Sequence, residues 1–335
     1  MSKKFVTDYK QGANLAQFSV PEAELETDSG FLLTVPAQQA GLRLDRLLAL
    51  HLPQVSRTRL QSWIEQGCVS VQGMKPEVKV TPNTRLGPAD VVLVDPPEPP
   101  ELLAFMPEAL AFEVVYQDTE IIVVNKPAGL VVHPAAGHWS GTLLNGLIYR
   151  YPELLSLPRA GIVHRLDKDT SGLMVVARTH TAQLSLVNQL KSRTVSRQYL
   201  AITTRLPLPS SGTVDQAIGR DARNRLRMAI CASGKPSITH YKTLATTPGG
   251  QALIECALET GRTHQIRVHM ASLKAPLLSD VLYGAAPSPL IPRQALHALK
   301  LAFLHPASGL AQKFESPLPE DLRQALDKLE LLHAL

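Results

Sequence analysis

A mixed α+β architecture in two domains is the fold class the sequence predicts, and three observations carry it. First, the chain has 335 residues, and at ~100–200 residues per domain two domains are the natural expectation. Second, strand-sized apolar runs alternate with helix-like pieces, but without the regular beat of βαβ units. Third, the segment Asp95-Pro-Pro-Glu-Pro-Pro100 forbids a regular helix or a central strand and so marks a boundary.

Residues 1–40 read as an N-terminal extension, polar over its first thirty positions and without a clear period. Residues 41–95 read as a compact unit. Leu44, Leu47 and Leu48 recur at helical spacing. Ser56 can cap a second helix whose apolar face is Leu60, Trp63 and Ile64 and which Gly67 can end. Arg57 and Arg59 project from its first turns, off the apolar stripe, where they can meet phosphates. Val69 and Val71 alternate with polar residues as a strand does, and Val91–Val94 is a second strand candidate. Residues 96–111 are the expected semi-rigid linker.

Residues 112–318 form the larger expected domain. Ile121–Val124, Leu130–Val132, Leu173–Ala177, Tyr199–Thr203 and Leu253–Leu258 are its strand candidates, and Thr181–Leu190 is a helix. The irregular succession points to a mixed, largely antiparallel sheet. Residues 319–335, rich in Leu and charge, read as a C-terminal tail with a terminal helix.

Several function classes drop out. The first ten residues carry charge and no apolar run, and no stretch reaches the ~18 apolar residues of a membrane span, so a cytoplasmic location is expected. Cys68, Cys231 and Cys256 are scattered and odd in number, which suits neither a disulfide framework nor a metal site. Neither a phosphate-binding loop nor a dinucleotide Gly-rich loop is found, so no cofactor is expected. Net charge is +5, but between Arg159 and Arg227 twelve Lys or Arg face four Asp. Such focusing suits a polyanion, RNA above all.

Two segments carry the chemistry. In Gly161-Ile-Val-His-Arg-Leu-Asp-Lys-Asp-Thr-Ser-Gly172, a carboxylate beside an arginine sits at a loop-to-strand junction. Taken alone it could simply cap a turn. Gly161 and Gly172 would let backbone approach a ligand. In Glu259-Thr-Gly-Arg-Thr-His-Gln-Ile-Arg-Val-His269, cations crowd a segment that reads as a strand, with His264 and His269 on opposite faces. An anionic partner would explain them, and so would an exposed edge.

Together these segments resemble the RluA family of pseudouridine synthases. Asn125-Lys-Pro-Ala-Gly-Leu-Val-Val-His-Pro134 resembles the family's first motif and Asp280-Val-Leu-Tyr-Gly284 its last. Residues 41–95 are similar to an S4-type RNA-binding domain. The surroundings look most like the RluD subgroup, which acts on large-subunit ribosomal RNA. The resemblance implies a pseudouridine synthase domain, with Asp167 as catalytic carboxylate and Arg262 paired to it. It implies Tyr199 stacked on the target uracil, Arg165 displacing the target nucleotide, and Ile266 lining the pocket. Asp169 is read as structural. Where the family has Gly before Asp280, this chain has Ser279, and Val281 and Leu273-Lys-Ala-Pro276 also depart. Transfer RNA is the alternative substrate, and a non-catalytic RNA-binding or ribosome-assembly factor the alternative class. A hydrolase fits poorly for want of a second carboxylate. Oligomeric state is not legible.

Overall fold

The computed structural model describes residues 30–74, 79–97, 100–135, 138–224 and 226–335. The extension up to residue 29 lies outside the described residues. The chain divides into two compact units between Pro99 and Pro100.

The first unit contains β1 (Phe31–Thr34), α1 (Leu44–His51), α2 (Arg57–Glu65), β2 (Val69–Val71) and β3 (Val91–Val94). Its three strands pair antiparallel in the order β1-β3-β2. β1 lies ahead of the expected start at residue 41. It belongs to the unit because it pairs with β3 along its whole length, Phe31 against Val94 through Thr34 against Val91. The Ser56 hydroxyl accepts the Arg59 N–H and caps α2. Leu44, Leu47, Leu48, Leu60, Trp63 and Ile64 close the core over the sheet.

That core also buries a charge. Asp45 is 0% exposed. It accepts hydrogen bonds from Arg43, Arg57 and Gln61 at 2.7–3.1 Å. Arg57, expected to face outward for phosphate, also bridges α2 to the buried carboxylate of α1 through its guanidinium. Arg59 stands over the Trp63 ring.

The second unit runs, in chain order, through β4 (Glu113–Gln117), β5 (Ile121–Lys126), α3 (Leu143–Arg150), β6 (Ser171–Ala177), α4 (His180–Lys191), β7 (Ser196–Thr203), β8 (Ser211–Asp215), β9 (Ile218–Arg220), β10 (Met228–Ile230), β11 (Ile238–Thr246), β12 (Ala252–Leu258), α5 (Gln265–Ser272), β13 (Leu296–Leu304), β14 (Ala311–Glu315) and α6 (Glu320–Lys328). Nine strands form one sheet in the order β4-β5-β6-β13-β7-β12-β11-β8, with β14 also paired to β13. Every pairing in it is antiparallel except β6 with β13.

Side chains alternate across this sheet and sort into separate cores. Ile122, Val124, Met174 and Val176 meet α3 on one face. Ile121, Val123, Leu173 and Val175 meet Ala182 and Leu186 of α4 on the other. Leu200 and Ile202 pack against Leu322, Ala325 and Leu326 of α6. Residues 319–335 are thus part of this unit rather than a tail. The expected linker is also partly built in. Asn145 of α3 donates to the carbonyls of Leu103, Ala104 and Met106, and Ala104 is buried. The expected strand at Leu130–Val132 is reduced to a single bridge, Val131 with Thr142. Its neighbour Gly129 donates to the Lys168 carbonyl instead, which ties the turn to the loop carrying Asp167.

The buried Asp45 sets a pH window. Burial alone would raise its carboxyl, but the bonds from Arg43, Gln61 and Arg57 outweigh that and lower it from 3.8 to about 2. A carboxylate depressed in the folded state adds stability above its unfolded value and loses it as pH falls toward the folded one. In a Trp139→Phe background, Trp63 emission should report a first unit that weakens between about pH 4 and pH 2. At pH 7, Arg57→Ala should lower its urea stability by roughly 1.5–3 kcal/mol, the scale of a hydrogen bond to a buried charge. An unchanged urea midpoint would show that Arg57 is not needed by Asp45.

Candidate active site

The loop between Ile162 and β6 carries Arg165, Asp167 and Asp169. Three buried cations hold it, each from a different element. Arg267 of α5 donates Nη1 to the Asp167 carboxylate at 3.2 Å. Lys126, at the end of β5, donates Nζ to the Lys168 carbonyl at 2.9 Å, and to the carbonyls of Pro127 and Leu130 at 2.8 Å. Arg293, ahead of β13, donates to the Asp169 carbonyl at 2.9 Å and grips Asp321 of α6 through Nε and Nη2. Consecutive residues 167, 168 and 169 are thus fixed from below. Asp169 contributes its backbone to this scaffold.

Gly161 and Gly172 bound the loop, and their role differs from the expected approach to a ligand. A Cβ on Gly172 would lie 2.2 Å from the Ala298 carbonyl oxygen, and one on Gly161 would lie 1.9 Å from that of Ala177. Both glycines let the loop's ends press against neighbouring strands.

Asp167 does not pair with Arg262. Arg262 donates Nε to the Pro236 carbonyl at 3.2 Å, and Arg267 makes the ion pair instead. The reason is local conformation. Residues 262–269 are not a strand. His264 takes a left-handed conformation (φ 57°) as the residue ahead of α5, and the helix turns Arg267 inward. Arg267 is also fixed from behind. Asp280 takes its Nε and Nη2 in a two-pronged pair, both at 2.8 Å. The Tyr283 ring lies 5.0 Å under the guanidinium. Burial alone would lower Arg267, but Asp280 and then Asp167 outweigh it and hold it above the ordinary arginine value. Arg267 and Asp280 were not singled out by sequence reasoning. A helical reading of Gln265–Ser272, with Ile266 and Met270 one turn apart, would have separated Arg267 from the exposed cations.

Asp167, 15% exposed at its side chain, opens on a narrow pocket of about 40 Å³. Tyr199, Ile266, Leu166, Leu258 and Leu296 give that pocket apolar walls, and Arg165 and Arg262 line it too. Of the expected site residues in this unit, Asp167, Tyr199, Arg262, Arg165 and Ile266 are therefore brought together. Tyr199 sits on β7 two residues from Arg197, on the same face of the strand. Burial pushes its phenol above the ordinary tyrosine value, so the hydroxyl keeps its proton at neutral pH. Arg159 and Ala160 both have positive φ in the turn leading into the loop. Among the described residues no group of His, Cys, Asp or Glu is arranged to hold a metal.

The unusual Ser279 has a physical account. Its φ is +61°, a conformation that favours glycine. The hydroxyl offsets the strain by donating to the Ile291 carbonyl at 2.6 Å and accepting the Ser288 N–H at 3.1 Å. Ser279→Ala keeps the strain and loses both bonds, so it should cost about 1–3 kcal/mol. Ser279→Gly relieves the strain and should be the more stable of the two in thermal unfolding. For the ion pair, Asp280→Ala leaves Arg267 buried with one carboxylate, and a loss of about 3–5 kcal/mol is expected. The Asp280→Ala, Arg267→Met double variant should lose less than the sum of the singles. Additive losses would mean the two side chains are not coupled.

Comparisons with known proteins agree with this geometry. Residues 120–272 match the family model for RNA pseudouridylate synthase. The chain is 49% identical over 338 residues to ribosomal large subunit pseudouridine synthase D of Neisseria meningitidis serogroup B, covering 97% of this chain and 87% of that protein. It is 46% identical over 315 residues to the protein of the same name from Nitrosomonas europaea, covering 92% and 90%. Among solved structures it is similar to human RNA pseudouridylate synthase domain containing 4 (TM-score 0.52, 27% identity, 65% of this chain and 92% of that one). It is similar also to human RNA pseudouridylate synthase domain containing 1 (TM-score 0.52, 28% identity, 68% and 97%). With a loop-borne carboxylate fixed in a pocket beside a buried tyrosine and near-full-length identity of this order, the chain belongs to the RluA family of RNA pseudouridine synthases.

Proposed function

We propose that this enzyme converts uridine to pseudouridine in large-subunit ribosomal RNA, with Asp167 as its catalytic carboxylate. The observation that carries the reading is the Asp167 carboxylate, fixed by Arg267 in a pocket that Tyr199 and Ile266 also line. The relatives named for large-subunit RNA support the substrate, and its compartment would then be the cytoplasm. No helix among the described residues is long and apolar enough to cross a membrane.

The reaction breaks the bond from uracil N1 to the ribose C1′. The base turns within the pocket, C5 joins C1′, and the proton on C5 leaves while N1 gains one. Asp167 can act by attacking C1′ or by taking a proton from the ribose. Both routes need a carboxylate whose direction does not drift, which Arg267 and the pinned loop supply. Tyr199, protonated and buried, presents a flat face and a hydroxyl to the uracil rather than a phenolate base. Stacking of this kind is worth ~1–3 kcal/mol per base, comparable with the few kcal/mol needed to flip a nucleotide out. Arg165, exposed and lining the same pocket, is suited to fill the vacated place. Arg262 is read here as a wall cation toward the RNA rather than the partner of Asp167.

In the first unit, the S4-like reading of residues 41–95 supports a role in RNA affinity and site choice. Arg57 and Arg59 are the candidates for phosphate contact, Arg57 while its guanidinium also bonds Asp45. The boundaries proposed are an RNA-binding unit ending near residue 95 and a catalytic unit from about residue 100 to the C-terminus.

The test is single-turnover pseudouridine formation on a large-subunit RNA transcript. Asp167→Ala should make none while RNA binding stays near wild type, and Asp169→Ala should stay active. Arg267→Lys keeps the charge but loses the fork, and a fall of roughly 10²–10³-fold is expected, on the scale of losing one oriented donor. Arg262→Ala should cost less. Tyr199→Phe should bind normally and turn over more slowly, and Tyr199→Ala should also bind more weakly. Wild-type turnover by Asp167→Ala would falsify the assignment.

A further inference from the structure

Beside the Asp167 pocket lies a larger cavity of about 860 Å³. The two share Arg165, Arg197, Gly261 and Arg262 as a common wall. Six buried side-chain polar atoms among the described residues lack a hydrogen-bond partner, and three of them belong to residues lining this one cavity: His133 Nε2, His164 Nδ1 and Arg197 Nε. Each such atom costs about 1–3 kcal/mol, and folded proteins keep few of them without a reason. Three orphans at one cavity indicate a ligand that completes them.

The chemistry of the orphans defines that ligand. His164 Nε2 accepts the Val175 N–H at 3.1 Å. Burial pushes His164 down to about 3 and His133 down to about 4, so both rings are neutral at physiological pH. A neutral His164 whose Nε2 accepts must carry its proton on Nδ1. His164 Nδ1–H and Arg197 Nε–H are therefore two buried donors without an acceptor. Arg197 is only 7% exposed, and its position depends on the bare backbone above it: a Cβ on Gly261 would lie 2.6 Å from its Nη1. Trp139 and Phe105 give the cavity flat aromatic surface, and Arg159, Lys191 and Arg193 give it positive charge. Arg193 shares its charge with Glu259 at 2.8 Å.

Acceptors at depth, a flat face and a phosphate together describe a nucleotide. We propose that this cavity is a second nucleotide subsite, which holds a base flanking the target uridine against His164 and Arg197 and thereby helps choose the site. The inference rests on the reading of the protein as an RNA pseudouridine synthase and adds to it a determinant of sequence preference. A wall that carries buried donors favours guanine, whose O6 and N7 both accept, over adenine, which puts an amino group where O6 would be. A preference of roughly 5- to 100-fold follows from the usual worth of such a paired contact.

Two measurements test it. In the first, the full-length protein carrying Trp63→Phe, so that Trp139 alone emits, is titrated with guanosine monophosphate, adenosine monophosphate and inorganic phosphate. Saturable quenching is expected, at least about 5-fold tighter for guanosine than for adenosine monophosphate. His164→Leu should abolish that difference, since it removes the ring donor and puts no other in its place. Thermal unfolding checks that each variant is folded, and Arg197→Lys is the second variant should His164→Leu not fold. In the second, pseudouridine formation is measured on large-subunit RNA transcripts with each nucleotide flanking the mapped uridine replaced in turn. One flanking position should show the guanine preference in the wild type and lose it in Trp139→Ala and in the folded donor variant. Identical responses to the three small ligands, together with wild-type flanking preferences in the variants, would overturn the subsite while leaving the activity intact. Selective guanosine monophosphate binding without pseudouridine formation on any transcript would instead overturn the activity and keep the subsite.

Discussion

The candidate site in the second unit depends on how the loop at residues 167–169 is held. A loop that must present a carboxylate in a fixed direction gains from having its own carbonyls paired. Ordinary sheet pairing does not serve them, since the loop precedes β6 and lies off its register. The chain supplies long cationic side chains from underneath instead. Lys126 is 0% exposed, and three carbonyls take its three protons. Burial pushes it down to about 7, a measure of how costly that ammonium is to keep there. A cost of this kind is tolerated where geometry matters more than stability.

The same logic explains why the pinning elements come from distant stretches of sequence. Lys126 ends β5, Arg267 belongs to α5, and Arg293 precedes β13. Arg293 in turn is clamped by Asp321, near the start of α6. The C-terminal helix therefore reaches the loop through one arginine, although it packs on the Leu200 and Ile202 side of the sheet. The loop cannot take its final shape before these long-range elements have assembled. Arg267 shows the refinement. Asp280 holds two of its nitrogens and leaves Nη1 for Asp167, so the Asp167 carboxylate meets a guanidinium with a single orientation.

Much of this was legible from residue patterns, and the failures have a common cause. The helix at 181–190 and the strands at 121–124, 173–177, 199–203 and 253–258 followed from periodicity, and the grouping of Asp167, Tyr199, Arg165, Arg262 and Ile266 followed from the resemblance to the RluA family. What escaped the sequence were the partners of buried charges. Arg57 lies off the apolar stripe of α2 and is half exposed, yet its guanidinium also reaches Asp45, which is buried within the Leu44, Leu47 and Leu48 face. Gln265–Ser272 is buried on nearly every side, so it lacks the polar face that marks a helix, and its Val and Ile suggest a strand. Hydrophobic periodicity locates apolar faces; it is silent on which cation neutralises which buried carboxylate, because such pairs are set by tertiary contact. Asp167 and Arg267 are 100 residues apart in the chain.

The basic cluster between Arg159 and Arg227 divides along the same line. Arg178 is matched by Glu153 and Arg193 by Glu259. Arg197 is buried and serves the wall between the two cavities. Arg159, Arg165 and Lys191 line the large cavity with no acidic partner of this kind among the described residues, and Arg262 adds to them from outside the cluster. The field that an RNA backbone meets is accordingly smaller than a count of charges in the sequence suggests, and part of it gathers at the two cavities. Focusing suits an enzyme that must find one uridine among many. A uniform basic surface would bind any duplex, whereas cations grouped around two adjoining cavities favour RNA whose bases are already unstacked or can be turned out.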